Sequence, residues 1–346
     1  MKSTKRITIY DLAKELGISA SYVSKALNDH PLINEKVKKK VKKKAIELNY
    51  RHNSHAANLR QGSSKTIGVI VPHINQSFFS EAIAGIEEVC FKNNHSLVIC
   101  QSHESFKQEC IAIDTLIHQN VDCILVSVSA GTRSASHLQT IEENNIALIQ
   151  FDRCIHKLDS YKVLNDNKDA SYSAVKNLIS GGYKKIAFLG GPKHLTIYKN
   201  RKEGYLKAII EEGLNIPADF IVDDVLGKKR SAEVVAELLA LPVPPDAFFT
   251  VSDYQSLGVL KVAGELGIEI PEQLGIFGFA NEAFTEIIKP TLSSVNQKSK
   301  ELGRHAANIY FNNILKGSNT VKSTEKTEII KSEIIARQSS RKSPNK

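Results

Sequence analysis

The sequence predicts a small all-α unit followed by a large α/β body of two similar lobes. Three observations carry this. The first fifty residues hold three short stretches of helical apolar spacing, separated by turn residues. From Thr66 onward, short apolar runs alternate with amphipathic helical stretches, and this alternation starts again at Ala170. The chain of 346 residues, 42% hydrophobic, exceeds what one core usually holds.

In the N-terminal unit the first helix is expected over Tyr10 to Leu16, with Thr8 as its cap and Leu12, Ala13 and Leu16 on one face. Gly17 ends it, because glycine adopts positive φ without steric cost. Ser19 caps a second helix, Ala20 to Asn28, with Val23, Ala26 and Leu27 inward and Ala20, Ser21, Tyr22 and Lys25 outward. Asn34 caps a third, to about Asn49, with a stripe of Val37, Val41, Ala45 and Leu48. Its other faces carry Lys36, Lys38, Lys39, Lys40, Lys42, Lys43 and Lys44. Three such helices with a tight first turn form a helix-turn-helix unit, the second helix being the reader of a DNA major groove.

Charge supports that partner. Residues 1–65 hold fifteen Lys and Arg against five Asp and Glu, a net of +10, while the remainder sums to −1. Positive charge confined to one segment points to a polyanion there and not elsewhere. No apolar run approaches the roughly 18 residues of a membrane span. The start, MKSTKRITIYDL, lacks the apolar core of a secretory signal, so no membrane partner and a cytoplasmic location are expected. The five cysteines, Cys90, Cys100, Cys110, Cys123 and Cys154, form no CxxC pair and read as small buried side chains; neither metal nor cofactor is expected.

In the body, TIGVIVP, SLVICQ, CILVSVS and IALIQFD read as strands of a first parallel sheet. Helices are expected over FFSEAIAGIEEVCFKNN, FKQECIAIDTLIHQN and residues 134–145. In the second series a helix near 170–181 precedes KIAFLGGP, FIVDDV, AFFTVSD and LGIFGFA as strands. NRKEGYLKAIIEEG, residues 229–241 and YQSLGVLKVAGELG are its other helices. Near 293–300 the chain is expected to cross back, before the helix ELGRHAANIYFNNILKG; TEIIKSEIIAR reads as one edge strand. In open α/β sheets ligands sit beyond the C-terminal ends of strands.

The run IYDLAKELGISASYVSKALND, then INEKVKKKVKKKAIELNY and HNSHAANLRQGSSKTIGVIVP, resembles the lactose/galactose-repressor (LacI/GalR) family, and the resemblance extends over the whole chain. It implies a helix-turn-helix DNA-binding domain over 1–50, a hinge helix and linker over 51–65, and a periplasmic-binding-protein-like, effector-binding and dimerising domain over 66–346. It places base contacts on Ala20, Ser21 and Lys25, and phosphate contacts on Tyr10, Ser19, Tyr22, Asn28 and Asn34. Thr8, Asn53 and Ala57 join the DNA-facing set, and Leu59 is the minor-groove wedge of the hinge. Lys25 stands where arginine is usual, and His52 where proline is usual.

For the cleft the resemblance implies an effector pocket of Phe78, Phe79, Asp152, Arg201, Phe249, Ser252, Asp253 and Ala280. One of the two phenylalanines is expected in the core. Asp152 and Arg153 have the alternative of pairing at the surface. Arg201, Gly204 and Tyr205 fit the family's R-x-x-G-[YFW] pattern. Ala280 replaces a usual aspartate, which points to an effector carrying negative charge or phosphate, held by Arg201. The apolar Leu195 and Ile197 disfavour a nucleobase.

The implied function is a homodimeric transcriptional regulator on a pseudo-palindromic operator, controlled by a small molecule, a sugar or sugar derivative. The absence of leucine heptads after TEIIKSEIIAR favours a dimer over a tetramer. Two other classes compete. A solute-binding protein leaves the basic helical unit unexplained. An enzyme finds no phosphate loop, no G-x-S-x-G and no H-E-x-x-H in the sequence, so no catalytic residue is assigned.

Overall fold

Each of the three N-terminal helices begins at a side chain that satisfies its first free amides. Thr8 caps α1 (Ile9–Leu16) in a reciprocal box: Asp11 N donates to Thr8 Oγ1, and Thr8 N donates to Asp11 Oδ2 at 2.9 Å. Gly17 ends it at φ 67°. Ser19 caps α2 (Ala20–Leu27) and Asn34 caps α3 (Glu35–Glu47). Leu12, Val23, Ala26, Ile33 and Val41 form the small shared core. Lys38 corrects the expected solvent face: its stem is buried and its Nζ lies 2.6 Å from Glu35.

The structure, a computed structural model, describes residues 7–50, 62–316 and 326–342, in two units, Met1–Ser64 and Lys65–Lys346. The hinge residues Asn53, Ala57 and Leu59 lie outside the described residues.

The second unit holds two six-stranded sheets. In the first lobe they are β1 (Thr66–Val71), β2 (Ser96–Gln101), β3 (Cys123–Val126), β4 (Ala147–Phe151), β5 (Tyr161–Asn165) and β11 (Thr327–Ile330), in the order β11-β5-β4-β3-β1-β2 and all parallel. In the second lobe they are β6 (Ile186–Leu189), β7 (Ile221–Val222), β8 (Ala247–Thr250), β9 (Gly275–Phe279), β10 (Ser293–Asn296) and β12 (Glu333–Ile335). Their order is β12-β10-β9-β8-β6-β7, with only β12 antiparallel. The helices are α4 (Ser77–Lys92), α5 (Phe106–His118), α6 (Ser136–Glu143), α7 (Asn167–Ser180), α8 (Thr196–Glu211), α9 (Gly227–Leu239), α10 (Asp253–Glu265) and α11 (Ser299–Ile309).

Four expectations change. YKVLN is a strand, hidden in the sequence by Lys162, whose buried ammonium donates to the Leu158 and Ser160 carbonyls. FIVDDV shrinks to two residues, because Asp223 turns to Lys202 at 2.6 Å and Asp224 adopts φ 59°. The crossing falls within 293–300 as expected, at 297–298, and what changes is that Ser293–Asn296 before it form a strand of the second lobe, β10. TEIIKSEIIAR is two strands, one at the edge of each sheet, split where Ser332 N donates to Asp166 Oδ1.

The chain therefore passes between lobes three times, and the crossings are stitched together. Asn165 Nδ2 donates to the Gln297 carbonyl at 2.8 Å, and Gln297 Nε2 donates back to Asn165 Oδ1. A first-lobe contact fixes α11: a Cβ on Gly303 would stand 2.0 Å from the Ala82 carbonyl, and one on Gly85 2.1 Å from that of Lys300. The two helix backbones touch, which only glycine permits.

Candidate functional site

The outward face of α2 carries Ser21, Tyr22 and Lys25, with Asn28 following it, all exposed; Ala20 is half-buried at its start. Tyr10 on α1 is 71% exposed, a large aromatic left open to a partner. Lys25 has no ion pair among the described residues, unlike Lys42, which holds Asp29 at 2.6 Å. Thr8, Ser19 and Asn34 are committed to capping through their side chains, while remaining exposed.

The cleft lies at the C-terminal ends of both sheets. Phe78, Phe79, Asp152, Arg201, Ser252 and Ala280 line one cavity, so six of the eight expected residues come together. Its free volume is about 50 Å³, far below the roughly 300–1,000 Å³ of small-molecule sites. The lobes are closed upon each other. Leu195 and Ile197, from the start of α8, are buried in an apolar cluster of the first lobe. Arg153 Nη2 donates to Tyr198 Oη at 3.3 Å, and Ser77 N donates to Glu282 Oε2 at 3.2 Å; both bonds join the lobes.

Arg201 is fully committed on one side. Its Nε donates to Asn167 Oδ1, its Nη1 to the Val251 carbonyl, and its guanidinium lies 3.6 Å above the Phe279 ring. Burial pulls its pKa down to about 10. Gly204 and Tyr205 do not join it. Gly204 lets α8 approach α7, where a Cβ would meet the Lys168 carbonyl at 2.1 Å, and Tyr205 is core, its hydroxyl donating to the Ile186 carbonyl.

Asp152 and Arg153 do pair, Nε to Oδ2 at 3.8 Å, but both are buried, so the pair is not at the surface. Burial raises the Asp152 pKa against the pull of Arg153 and Arg201. Arg153 donates to both oxygens of Glu104 at 2.8 and 2.9 Å. Both phenylalanines, Phe78 and Phe79, belong to the core and to the cavity wall at once, set edge-to-face at 5.0 Å.

Two expected residues are placed elsewhere. Phe249 points into the apolar core of the second lobe, its ring 6.0 Å from Phe188, because alternate residues of β8 face opposite sides of the sheet. Asp253 sits behind the wall. Its carboxylate accepts from Ser294 Oγ at 2.7 Å and from Glu282 N at 2.9 Å. Burial raises its pKa to about 6. A folded-state value above the unfolded one gives stability that is present at low pH and lost as pH rises toward about 6. The body should therefore lose on the order of 3 kcal/mol between pH 4 and 7 through this group. Urea unfolding across that range checks it: Asp253→Asn should make the slope shallower, leaving the share of Asp152, whose pKa burial also raises, and an unchanged slope would refute the assignment.

Tyr198 and Glu282 were not singled out by sequence, and Arg153 only as a surface partner of Asp152. Tyr198 had a usable signal, standing one helical turn before Arg201. Glu282 had none, since it lies in a loop. The expected positive surplus for an anionic effector is absent: Arg153 and Arg201 face Asp152 and Glu282, and Glu104 adds a third carboxylate.

The chain matches the family model for bacterial regulatory proteins of the lacI family over residues 8–53, and the periplasmic binding protein-like domain over 175–340. It is 30% identical over 307 residues to the HTH-type transcriptional repressor PurR of Actinobacillus pleuropneumoniae serotype 3 (strain JL03), covering 89% of this chain and 91% of that one. It is 29% identical over 298 residues to catabolite control protein A of Priestia megaterium, covering 86% and 89%. Among solved structures, the lac repressor dimer bound to operator and the anti-inducer ONPF superposes with a TM-score of 0.83 at 19% identity, covering 98% of this chain and all of that one.

Proposed function

The chain belongs to the lacI family of bacterial regulatory proteins, and from that premise we propose which of its residues read DNA and which answer the effector. The protein is a DNA-binding transcriptional regulator, not an enzyme. It acts on operator DNA as a homodimer under the control of a small molecule, a sugar or other effector. Cytoplasmic action follows from the DNA partner.

The observation that carries the assignment is the confinement of surplus charge to residues 1–65, on a unit whose second helix exposes Ser21, Tyr22 and Lys25 side by side. Ala20, Ser21 and Lys25 read base edges. Tyr10, Tyr22, Asn28 and the capping residues Thr8, Ser19 and Asn34 orient the unit on phosphates. Asn53, Ala57 and Leu59 serve the hinge, with Leu59 in the minor groove. In the body, the cleft around Arg201, Asp152, Phe78, Phe79, Ser252 and Ala280 takes the effector.

The test is discrimination rather than affinity alone. Lys25→Ala should cost about 1–3 kcal/mol on the best operator and relax preference at one base position, while binding to unrelated duplex changes little. Competition titrations with single-base operator variants read this out. Equal weakening on every duplex would move Lys25 to the phosphate-contacting set.

A further inference from the structure

The loop that follows β9 carries more fixed geometry than a connection needs. Ala280 adopts φ 120° and Asn281 φ 56°, backbone that side-chain-bearing residues rarely take. Three consecutive amides are tied down: Ala280 N to the Val295 carbonyl, Asn281 N to Ser294 Oγ and Glu282 N to Asp253 Oδ2. Strained backbone persists where its surroundings over-determine it, and such places gather at ligand clamps.

What the loop holds is Glu282. This carboxylate is 3% exposed, lines the cleft cavity and has no cationic partner among the described residues. Its Oε2 accepts from Ser77 N at the first turn of α4, in the opposite lobe. That helix lacks a cap of its own, since Gln76 at the cap position makes no side-chain hydrogen bond to it. Glu282 supplies the cap from across the cleft, where the helix dipole favours negative charge. Ser77 N is bonded to Oε2 alone, Oε1 makes no hydrogen bond among the described residues, and the side chain lines the cavity. A buried carboxylate oxygen left open in a cavity is an acceptor waiting for a donor.

We propose that Glu282 is a ligand-selecting latch: one oxygen closes the lobes by capping α4, and the other accepts from a ligand hydroxyl, so the cleft takes uncharged, hydroxyl-rich ligands and excludes anions. This rests on the reading of the cleft as the effector site. The charges around it agree. Arg153 is engaged by Glu104, and Arg201 faces Asp152, so an anion entering beside Glu282 finds no unmatched cation. Asp253 is the positioning residue, holding the Glu282 amide from behind.

The experiment uses the full chain and three variants. Glu282→Gln keeps the shape and removes the charge; Glu282→Ala removes both. Ser77→Pro removes the backbone donor and leaves Glu282 itself in place, at the first helical position, where proline is well accommodated. Two readings are taken. In hydrogen exchange, the Ser77 amide should exchange about tenfold faster in Glu282→Ala than in wild type, with the α1–α3 amides unchanged; equal rates would overturn the latch. In calorimetry with inorganic phosphate as probe, Glu282→Gln should bind at least tenfold more tightly than wild type, and Ser77→Pro should not; equal phosphate affinity in wild type and Glu282→Gln would overturn the exclusion of anions. Should Glu282→Ala fail to fold, Ser77→Pro decides the latch through the lobes: small-angle scattering should show a more open body than wild type, and an unchanged one would refute it. Failure of the wild type to recognise operator DNA would count against the regulatory reading and leave both results standing.

Discussion

Between 50 and 200 mM salt, the affinity of the dimer for its operator falls by about 10³ to 10⁵. The size follows from a count of free cations. In each N-terminal unit Lys38, Lys42 and Lys44 are paired with Glu35, Asp29 and Glu47. Lys25, Lys36, Lys39, Lys40 and Lys43 have no ion pair among the described residues. If three to five of these reach phosphates in each protomer, the dimer neutralises roughly six to ten, and each released counterion contributes a slope of about 0.9 in log–log form. Filter binding or fluorescence anisotropy across the salt range measures it. Lys39→Gln with Lys40→Gln should flatten the slope without altering base preference. A flat response in the wild type would show that the positive surplus is only a solvated face.

Arg201→Ala is expected to abolish the effector's influence on DNA binding while leaving ligand-free binding near normal. The guanidinium holds Asn167 and the Val251 carbonyl and covers Phe279, so it joins the first turn of α7, the end of β8 and the end of β9 at the cavity. A ligand shifts operator affinity only as far as it prefers one lobe arrangement over the other. Without Arg201, that preference has lost its main donor. The substitution also strips Asp152 of a neighbouring charge and leaves Asn167 Oδ1 and the Val251 carbonyl without their donor, so the body should lose about 1–3 kcal/mol of stability for each acceptor left unpaired. Arg201→Lys should recover part of the stability and little of the ligand response, because an ammonium cannot reproduce the fork. Operator titrations with and without ligand, beside urea unfolding, separate the two effects. A full ligand response in Arg201→Ala would remove the arginine from the account.

The sequence carried most of the architecture because its signals were local. Thr8, Ser19, Asn34 and Gly17 mark helix ends by their own chemistry, and the apolar runs mark the central strands. What escaped depended on distant partners. Lys162 broke an apolar run, and only its burial on two carbonyls makes YKVLN a strand. Lys38 looked solvent-facing until Glu35 took its ammonium. TEIIKSEIIAR reads as one strand because nothing within it tells that its halves join different sheets. In the cleft, motif positions located Arg201, Asp152 and the phenylalanine wall, but side-chain direction placed Phe249 in the core and Asp253 behind the loop. Glu282 was invisible, since its importance comes from an uncapped helix 205 residues away in the chain.

Selection of the full chain against a library of random duplexes reads out whether the N-terminal unit recognises a symmetric operator. A homodimer with Lys25 on its reader helix should enrich one inverted repeat, two half-sites related by two-fold symmetry, with the preference at one position of each half-site lost in Lys25→Ala. Recovery of duplexes without a shared symmetric sequence, bound as tightly as the starting library, would contradict it.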